Sequence, residues 1–225
     1  MYDMEYLIIG NPRNGSKFSA ELFSSLGFPT VHEQPEGIEN TYTQYVAYSS
    51  WAFNIIHSKD DNISPKYGLY PEGSYTNNIR FKGTVTHLRN PFDAFPSLLD
   101  ENNNHWSRNI RFRYIYKKLG KNISEISQNK LEQTILSYLY WNEIALSKSD
   151  FFFRIEHDVQ KVKDYLEKNH GKINETTQEQ ETKKVNSKPR NKYKIEMKDY
   201  DSVSSNTKDL LNEFCQKYQY DWMLT

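Results

Sequence analysis

The stretch that most constrains this chain is 6–28, where an apolar run, a glycine-bounded turn and an amphipathic helix follow one another. The run Tyr-Leu-Ile-Ile at 6–9 favours a buried strand. After the turn at 10–15, apolar residues recur at helical spacing from residue 16 onward. Gly27 follows the last of them and suits the end of a helix. Free N–H groups of the turn and of the helix start converge in such a unit, and the helix dipole favours negative charge there. We therefore expect an anion site, to which Arg13 adds a charged fork suited to phosphate or sulfate.

The rest of the chain alternates strand patterns with helix patterns, which predicts an α/β fold with a mostly parallel sheet and helices on both faces. Together with the glycine turn, this pattern predicts a P-loop-like nucleotide-binding fold. We expect a single domain over 1–225 with a mobile polar loop at about 171–192. Asp158 is placed to cap the helix that follows it. Strands are predicted at 6–9, 29–31, 84–88 and 151–156, and helices at 16–27, 42–56, 91–100, 108–119, 131–147, 159–169 and 207–218.

Charge and cysteine content disfavour several classes of protein. Lys plus Arg and Asp plus Glu both number 29, so the net charge is zero, whereas a nucleic-acid binder usually carries a basic excess. Cys215 is the one cysteine, so the chain forms no internal disulfide and we expect a reducing, cytoplasmic compartment. No signal-peptide pattern is visible, and no apolar run approaches the roughly 18 residues of a membrane span. We expect no nucleic acid as a partner and no membrane span, and composition leaves the oligomeric state open.

Gly10 and Gly15 have the spacing of the NTPase phosphate loop, G-x-x-x-x-G-K-[ST], but the residues that follow them differ. Ser16 stands where that loop has its lysine, and Lys17 stands where it has the magnesium-binding hydroxyl. The predicted strand at 84–88 runs into an arginine and not into an acidic metal ligand. The turn thus suits an anion but lacks the parts for magnesium-dependent ATP hydrolysis. The alternative is a strand-to-helix turn without a ligand, since such turns recur in α/β folds.

A second candidate anion site begins at Arg89, directly after the predicted strand at 84–88. Ligands of parallel α/β sheets bind at the carboxyl ends of the strands. Ser97 lies in the helix that starts at Pro91, and helical side chains lean towards the N-terminus, so Ser97 can reach a phosphate held by Arg89. The alternative is that Arg89 pairs with Asp93 or Glu101. Taken with the glycine turn, two anion sites on one edge predict a ligand with two separated phosphates.

These two motifs resemble those of the sulfotransferases that use 3′-phosphoadenosine 5′-phosphosulfate (PAPS). Segment 12–16, Pro-Arg-Asn-Gly-Ser, is similar to their 5′-phosphosulfate loop. Segment 88–93, Leu-Arg-Asn-Pro-Phe-Asp, resembles their 3′-phosphate motif, with Ser97 at the family's spacing. Looser likeness to the bacterial, carbohydrate-type branch lies in the His-Glu pair after the first helix, and in Trp-Asn at 141–142 followed by Phe-Arg-Ile-Glu at 153–156.

The resemblance implies PAPS as the donor, 3′-phosphoadenosine 5′-phosphate (PAP) as the released product, and no metal. Arg190 of the polar loop would close over the 3′-phosphate. Three residues depart from the family's pattern and reduce hydroxyl contacts to the phosphosulfate, although Lys17 would substitute a charge; they are Asn14, Lys17 and Phe18. The donor-binding residues implied by the resemblance are Arg13, Asn14, Gly15, Ser16, Lys17, Phe18, Arg89, Ser97 and Arg190.

A sulfuryl transfer also needs a base for the acceptor's proton, and His32-Glu33 follow the second predicted strand. The resembling branch carries its catalytic Glu at a similar position, so we rank Glu33 ahead of His32, although imidazole titrates nearer neutral pH. Adjacent residues on an extended segment face opposite sides, so one of the two faces the cleft. The alternative is that both are surface loop residues. Arg13 is the cation expected to stabilise the leaving phosphate, so the catalytic candidates are Glu33, Arg13 and His32.

The acceptor pocket is predicted from the aromatic-rich segment 34–78 and from residues 106–113. Aromatic faces suit sugar rings or phenols, and a saccharide is our first interpretation. Two other interpretations stay open. One is a P-loop kinase or NTPase-like enzyme, which would bind ATP with magnesium. The other is a non-catalytic nucleotide-binding domain.

Overall fold

The computed structural model describes residues 2–32, 46–49, 79–173 and 194–221. In this part of the chain, five strands form one sheet in the order β2-β3-β1-β4-β5, and every pair of neighbours is parallel. The predicted α/β class with a parallel sheet is thereby confirmed. The strands are β1 (Tyr2–Ile9), β2 (Thr30–His32), β3 (Ala47–Ser49), β4 (Ile79–Leu88) and β5 (Phe151–Arg154).

Described helices follow β1, β4 and β5, and six of the seven predicted helices are confirmed with small shifts at their ends. A short 3₁₀ helix over Met197–Ser202 precedes the last α-helix. None of the helices in the described part of the chain is long and apolar enough to span a membrane. The α-helices are α1 (Ser16–Ser25), α2 (Pro91–Glu101), α3 (His105–Leu119), α4 (Ile123–Ile126), α5 (Lys130–Ser147), α6 (Val159–His170) and α7 (Ser205–Lys217).

The helix predicted at 42–56 is wrong where the structure describes it, because Ala47–Ser49 forms β3. Tyr6 of β1 pairs with Ala47, and Val31 of β2 pairs with Tyr48, so β3 lies between two parallel strands. Hydrogen bonding to two neighbours decides the conformation here, whereas aromatic spacing over a short window does not separate helix from strand. The rest of 42–56, apart from residue 46, and the polar loop from 174 onward lie outside the described residues.

Helix ends follow the local sequence in two places and depart from it in a third. Gly27 has a φ of 85°, and the N–H of Phe28 donates to the carbonyl of Phe23 over 2.9 Å, so α1 ends in a Schellman motif. Asn90 caps α2 by accepting from the N–H of Phe92 over 3.0 Å. Asp158 occupies the cap position of α6, but its side chain makes no cap bond. Its carboxylate instead accepts from the Arg154 guanidinium at the end of β5, over 3.0 Å.

The chain divides into two compact units. The sheet, α1 and α6 belong to the first, formed by Met1–Leu88 and Lys148–Asn186. In that unit α1 and α6 pack on one face of the sheet, and residues of the opposite face, such as Ile9 and Leu88, are also buried. The core of the α1 and α6 face consists of Tyr6, Ile8, Phe23, Leu26, Phe28, Ala47, Val85, Phe153, Val162 and Leu166.

The second unit, formed by Arg89–Ser147 and Ser187–Thr225, contains the remaining helices. Its core is aromatic: the ring of Tyr138 lies edge-on to Phe95 and to Phe214, with centroids 5.4 Å apart in each case. Cys215 of the same unit is a fully buried free thiol, and burial raises its pKa to about 12.

Candidate functional site

The glycine turn lies where the direction of the sheet's connections changes. From β1 the chain leads first to β2 and β3 on one side, and only later to β4 and β5 on the other. The carboxyl end of β1 is therefore a topological switch point, and open parallel sheets bind their ligands at such a point. Residues 10–15 connect this end of β1 directly to the start of α1.

The backbone of the turn is held by its own hydrogen bonds and by two left-handed residues. The N–H of Asn14 donates to the carbonyl of Asn11 over 3.0 Å, and Arg13 takes a φ of 69°. Gly15 is the N-cap of α1 with a φ of 101°, and a β-carbon there would lie 2.9 Å from Cδ1 of Ile155. Only glycine fits both the conformation and the space. Helix geometry leaves the N–H groups of the first turn of α1 without intrahelical acceptors, which suits an anion.

Ser16 ties the start of α1 to the ends of β2 and β3. Its hydroxyl lies 2.8 Å from Nε2 of His32, and its carbonyl accepts from the hydroxyl of Ser49 over 2.8 Å. Burial, and after it the positive charge of Lys17, lowers the pKa of His32, so its imidazole is neutral at pH 7. Sequence analysis named Ser16 and His32 separately but did not predict their contact, and it missed Ser49 altogether.

His87 of β4 approaches the turn from the other side of β1. The side chain is fully buried, and a β-carbon at Gly10 would lie 2.7 Å from its Cδ2, 2.8 Å from its Cε1 and closer still to its Nε2. Neither ring nitrogen has a hydrogen-bond partner among the described residues. Burial lowers its pKa to about 3, with a further contribution from the charge of His32. A neutral buried N–H without an acceptor costs about 1–3 kcal/mol, so this arrangement requires an explanation.

The predicted donor-binding residues of the turn lie in different environments. Arg13 is exposed, and Asn14 is fully buried. Lys17 is also exposed, and its Nζ lies 3.7 Å from Oε1 of Glu21 one helical turn later. The ring of Phe18 packs against the core of the sheet unit, so only its backbone N–H is left for a ligand.

Arg89 and Ser97 belong to the helical unit, where each is partly exposed. The hydroxyl of Tyr138 donates to the carbonyl of Arg89, which fixes the backbone at the start of α2. Ser97 lies in the middle of α2, directly after Pro96. Two other candidates, Glu33 and Arg190, lie outside the described residues.

Comparison of the chain with protein-family models and with curated proteins finds no match.

Proposed function

We propose that this chain is a sulfotransferase that moves a sulfuryl group from PAPS to a hydroxyl or amine of an acceptor, with a saccharide as the first candidate. One observation carries the proposal: Pro-Arg-Asn-Gly-Ser at 12–16 covers the end of the connection from β1 and the first residue of α1, at the switch point of a parallel sheet. A motif of this kind is informative only when a strand precedes it and a helix follows it. Both elements are present, and the turn presents backbone donors at a helix N-terminus.

The residues of the turn fit a phosphosulfate group. Gly15 keeps the entrance to α1 free of a side chain, and the N–H groups from Gly15 to Phe18 together with the Arg13 guanidinium supply donors for several oxygens. The N–H of Asn14 is already bonded to the carbonyl of Asn11. Lys17 is paired with Glu21 on the flank of α1, whereas the lysine of an ATP-binding loop contacts phosphate. Ser16 stands where that loop has its lysine, and this favours a sulfuryl donor over ATP.

Bound PAPS would supply the sulfuryl group, and PAP would be the leaving group. As the acceptor oxygen or nitrogen bonds to sulfur and the bond from sulfur to the bridging oxygen breaks, negative charge grows on the 5′-phosphate of PAP. Arg13 and the N–H groups of the turn offset that charge, and the N–H groups need little reorganisation because the backbone of the turn is fixed in advance. The acceptor's proton goes to the base.

Two neighbouring residues are candidates for that base. We keep Glu33 as the first candidate from sequence. His32 is the second, because a neutral imidazole can accept a proton, although the lowered pKa of His32 makes it a weaker base than an ordinary histidine. Glu33→Gln should retain PAP binding and lose transfer if the carboxylate is the base. The same result in His32→Asn, with full activity in Glu33→Gln, would assign the role to the imidazole instead.

The 3′-phosphate of PAPS is assigned to Arg89 and Ser97, with Arg190 closing over it, and this part of the proposal rests on the sequence resemblance. ATP has no 3′-phosphate, so a guanidinium that binds this group would distinguish PAPS from ATP. Arg89→Ala should therefore weaken PAP binding, whereas Arg113→Ala, an exposed arginine of α3, is the matched control and should not.

Calorimetry with PAP, and separately with ATP plus magnesium, tests the function. We expect tight PAP binding without added metal, roughly tenfold or more weaker in Arg89→Ala and unchanged in Arg113→Ala. Tight binding of ATP plus magnesium with none of PAP would contradict a sulfotransferase. Binding of neither would remove both enzyme interpretations.

A further inference from the structure

His87 presents an imidazole to the glycine turn from inside the sheet unit. Val85, two residues earlier on β4, belongs to the core on the α1 face, and alternation along the strand puts His87 on that same face. Its ring lies 6.4 Å, centroid to centroid, from Phe153 of the same core. Gly10 has no side chain, so the Nε2 end of the ring packs directly against the backbone of the turn.

The chemistry of this position is unusual for a core residue. A neutral imidazole always carries one N–H and one acceptor nitrogen, and both nitrogens of His87 lack a partner among the residues described. Leucine or phenylalanine would fill the same space without burying a donor. Buried donors of this kind are few in native proteins and are retained where a ligand, an ion or a water completes them.

A donor is also what the adjoining site requires. An anion in the turn receives backbone N–H groups at the start of α1, and it lies between strands that bring His32 from one side and His87 from the other. The two imidazoles differ, because Nε2 of His32 is already bonded to Ser16, whereas His87 retains its full hydrogen-bonding capacity among the described groups.

We propose that Nε2–H of His87 is a further donor of the anion site and binds an oxygen of the phosphate or sulfate group held by the glycine turn. The inference rests on the anion site of the proposed function. It adds a residue from β4, which neither the sequence motif nor the resemblance includes. His87 is in this sense a ligand-binding residue inside the sheet, and Gly10 is the position that gives it access to the turn.

Nuclear magnetic resonance of the ring nitrogens tests the donor directly in the full-length wild-type chain labelled with ¹⁵N-histidine. His87→Gln identifies the His87 signals by their loss. We expect a neutral ring with the proton on Nε2, and an Nε2 signal that moves during PAP titration with the dissociation constant that calorimetry gives. Ring signals that stay in place at saturating PAP would overturn the inference.

Variants supply the second measurement. His87→Leu removes the donor and fills the space, and PAP affinity should fall roughly tenfold to a hundredfold, the effect of one hydrogen bond to a charged group. His87→Gln retains an N–H donor and should recover part of that loss. Phe153→Leu is the packing control, because it alters the neighbour of the ring without removing a donor, and it should retain wild-type affinity.

Inorganic phosphate, titrated in parallel, separates this inference from the proposed function. Unchanged PAP affinity in His87→Leu would show that His87 does not donate to the anion, and it would leave the sulfotransferase proposal standing. Phosphate binding that depends on His87, in a protein that does not bind PAP, supports the donor and contradicts the sulfotransferase. Binding of neither anion by the wild type overturns both. If His87→Leu does not fold, the wild-type resonance titration decides.

Discussion

At Gly10 a single hydrogen atom makes room for an aromatic ring. The constraint is steric, since the edge of the His87 ring occupies the space that a β-carbon would need. Gly15 is constrained twice, by its left-handed backbone and by Ile155. The two glycines of the turn therefore serve different purposes: the first accommodates a side chain of β4 and the second allows α1 to begin.

Gly10→Ala should destabilise the protein by about 1–3 kcal/mol, because the new methyl group overlaps the buried imidazole. Urea denaturation of the single variant gives this number. Adding His87→Ala empties the space that the methyl group needs, so the double variant should be more stable than the sum of the two single effects by about 0.5–3 kcal/mol. Additive effects would show that the ring and the glycine are not coupled.

Individual residues of the site could be predicted from sequence, but their contacts could not. The turn at 10–15 can be predicted from its two glycines, which lie between a strand pattern and a helix pattern. Ser16 and His32 were both candidates, yet their hydrogen bond requires β2 to lie beside the start of α1. His87 has no local signal at all, because a single histidine in a strand shows no ligand spacing, and only the pairing of β4 with β1 brings it to Gly10.

At the scale of elements, Glu132 joins the start of α5 to the start of α7. Its buried carboxylate accepts from the hydroxyls of Thr207 and Ser127, each over 2.7 Å, and from both the hydroxyl and the N–H of Ser204, the N-cap of α7. Burial by itself would raise the pKa of Glu132, but the hydrogen bonds from Ser204, Thr207 and Ser127 outweigh it and lower the pKa. The carboxylate thus acts as a second cap for α7.

Glu132→Gln should reduce the free energy of unfolding by about 1–3 kcal/mol at pH 7, because one of the two acceptor oxygens is replaced by a donor that faces hydroxyls. Glu143→Gln, an exposed position of the same helix, is the control and should change stability by less than about 0.5 kcal/mol. Equal effects of the two substitutions in urea denaturation would show that the carboxylate is not a specific link between α5 and α7.

Elements with strong local patterns were predicted well, and those decided by distant partners were not. The long apolar face of 131–147 and the proline after Asn90 identify α5 and α2 from sequence alone. β3 was missed because three residues carry too little periodicity, and its identity depends on β1 and β2. Asp158 was placed correctly at the start of α6, but Arg154, four residues earlier on β5, competes for its carboxylate.

At the scale of the whole molecule, His87 makes stability depend on pH. Its native pKa of about 3, the result of burial and then of the charge of His32, lies below its ordinary value of 6.5. Between these two values the unfolded chain binds one more proton than the native protein, so stability rises with pH. The stability that results from burying His87 as a neutral ring is fully present above about pH 6.5 and is lost as the pH falls towards 3.

Urea denaturation between pH 5 and 7 should therefore show stability falling towards the acid side, by about 1.4 kcal/mol per pH unit from His87 once the pH is well below 6.5. His32, whose pKa is also lowered, adds to the same trend. The pKa values of Glu132 and Asp158 are lowered from 4.5 and 3.8, so these carboxylates change the free energy of unfolding mainly below pH 5. In His87→Leu, the free energy of unfolding should change less with pH, and the difference from the wild type is the contribution of His87. Identical slopes in the two proteins would mean that His87 titrates normally in the native state.

The place of β1 in the sheet has a consequence for how the chain is made. β1 leaves the ribosome before the other four described strands, yet it lies at the centre of the sheet that the five form, with Tyr6 paired to Ala47 on one side and Tyr2 to Ile79 on the other. A nascent chain that ends before β4 therefore carries a central apolar strand with one edge exposed, and such edges invite pairing with other chains. Completion of the described sheet waits for β5 at Phe151–Arg154, so more than 140 residues are synthesised after β1 before its last strand can pair.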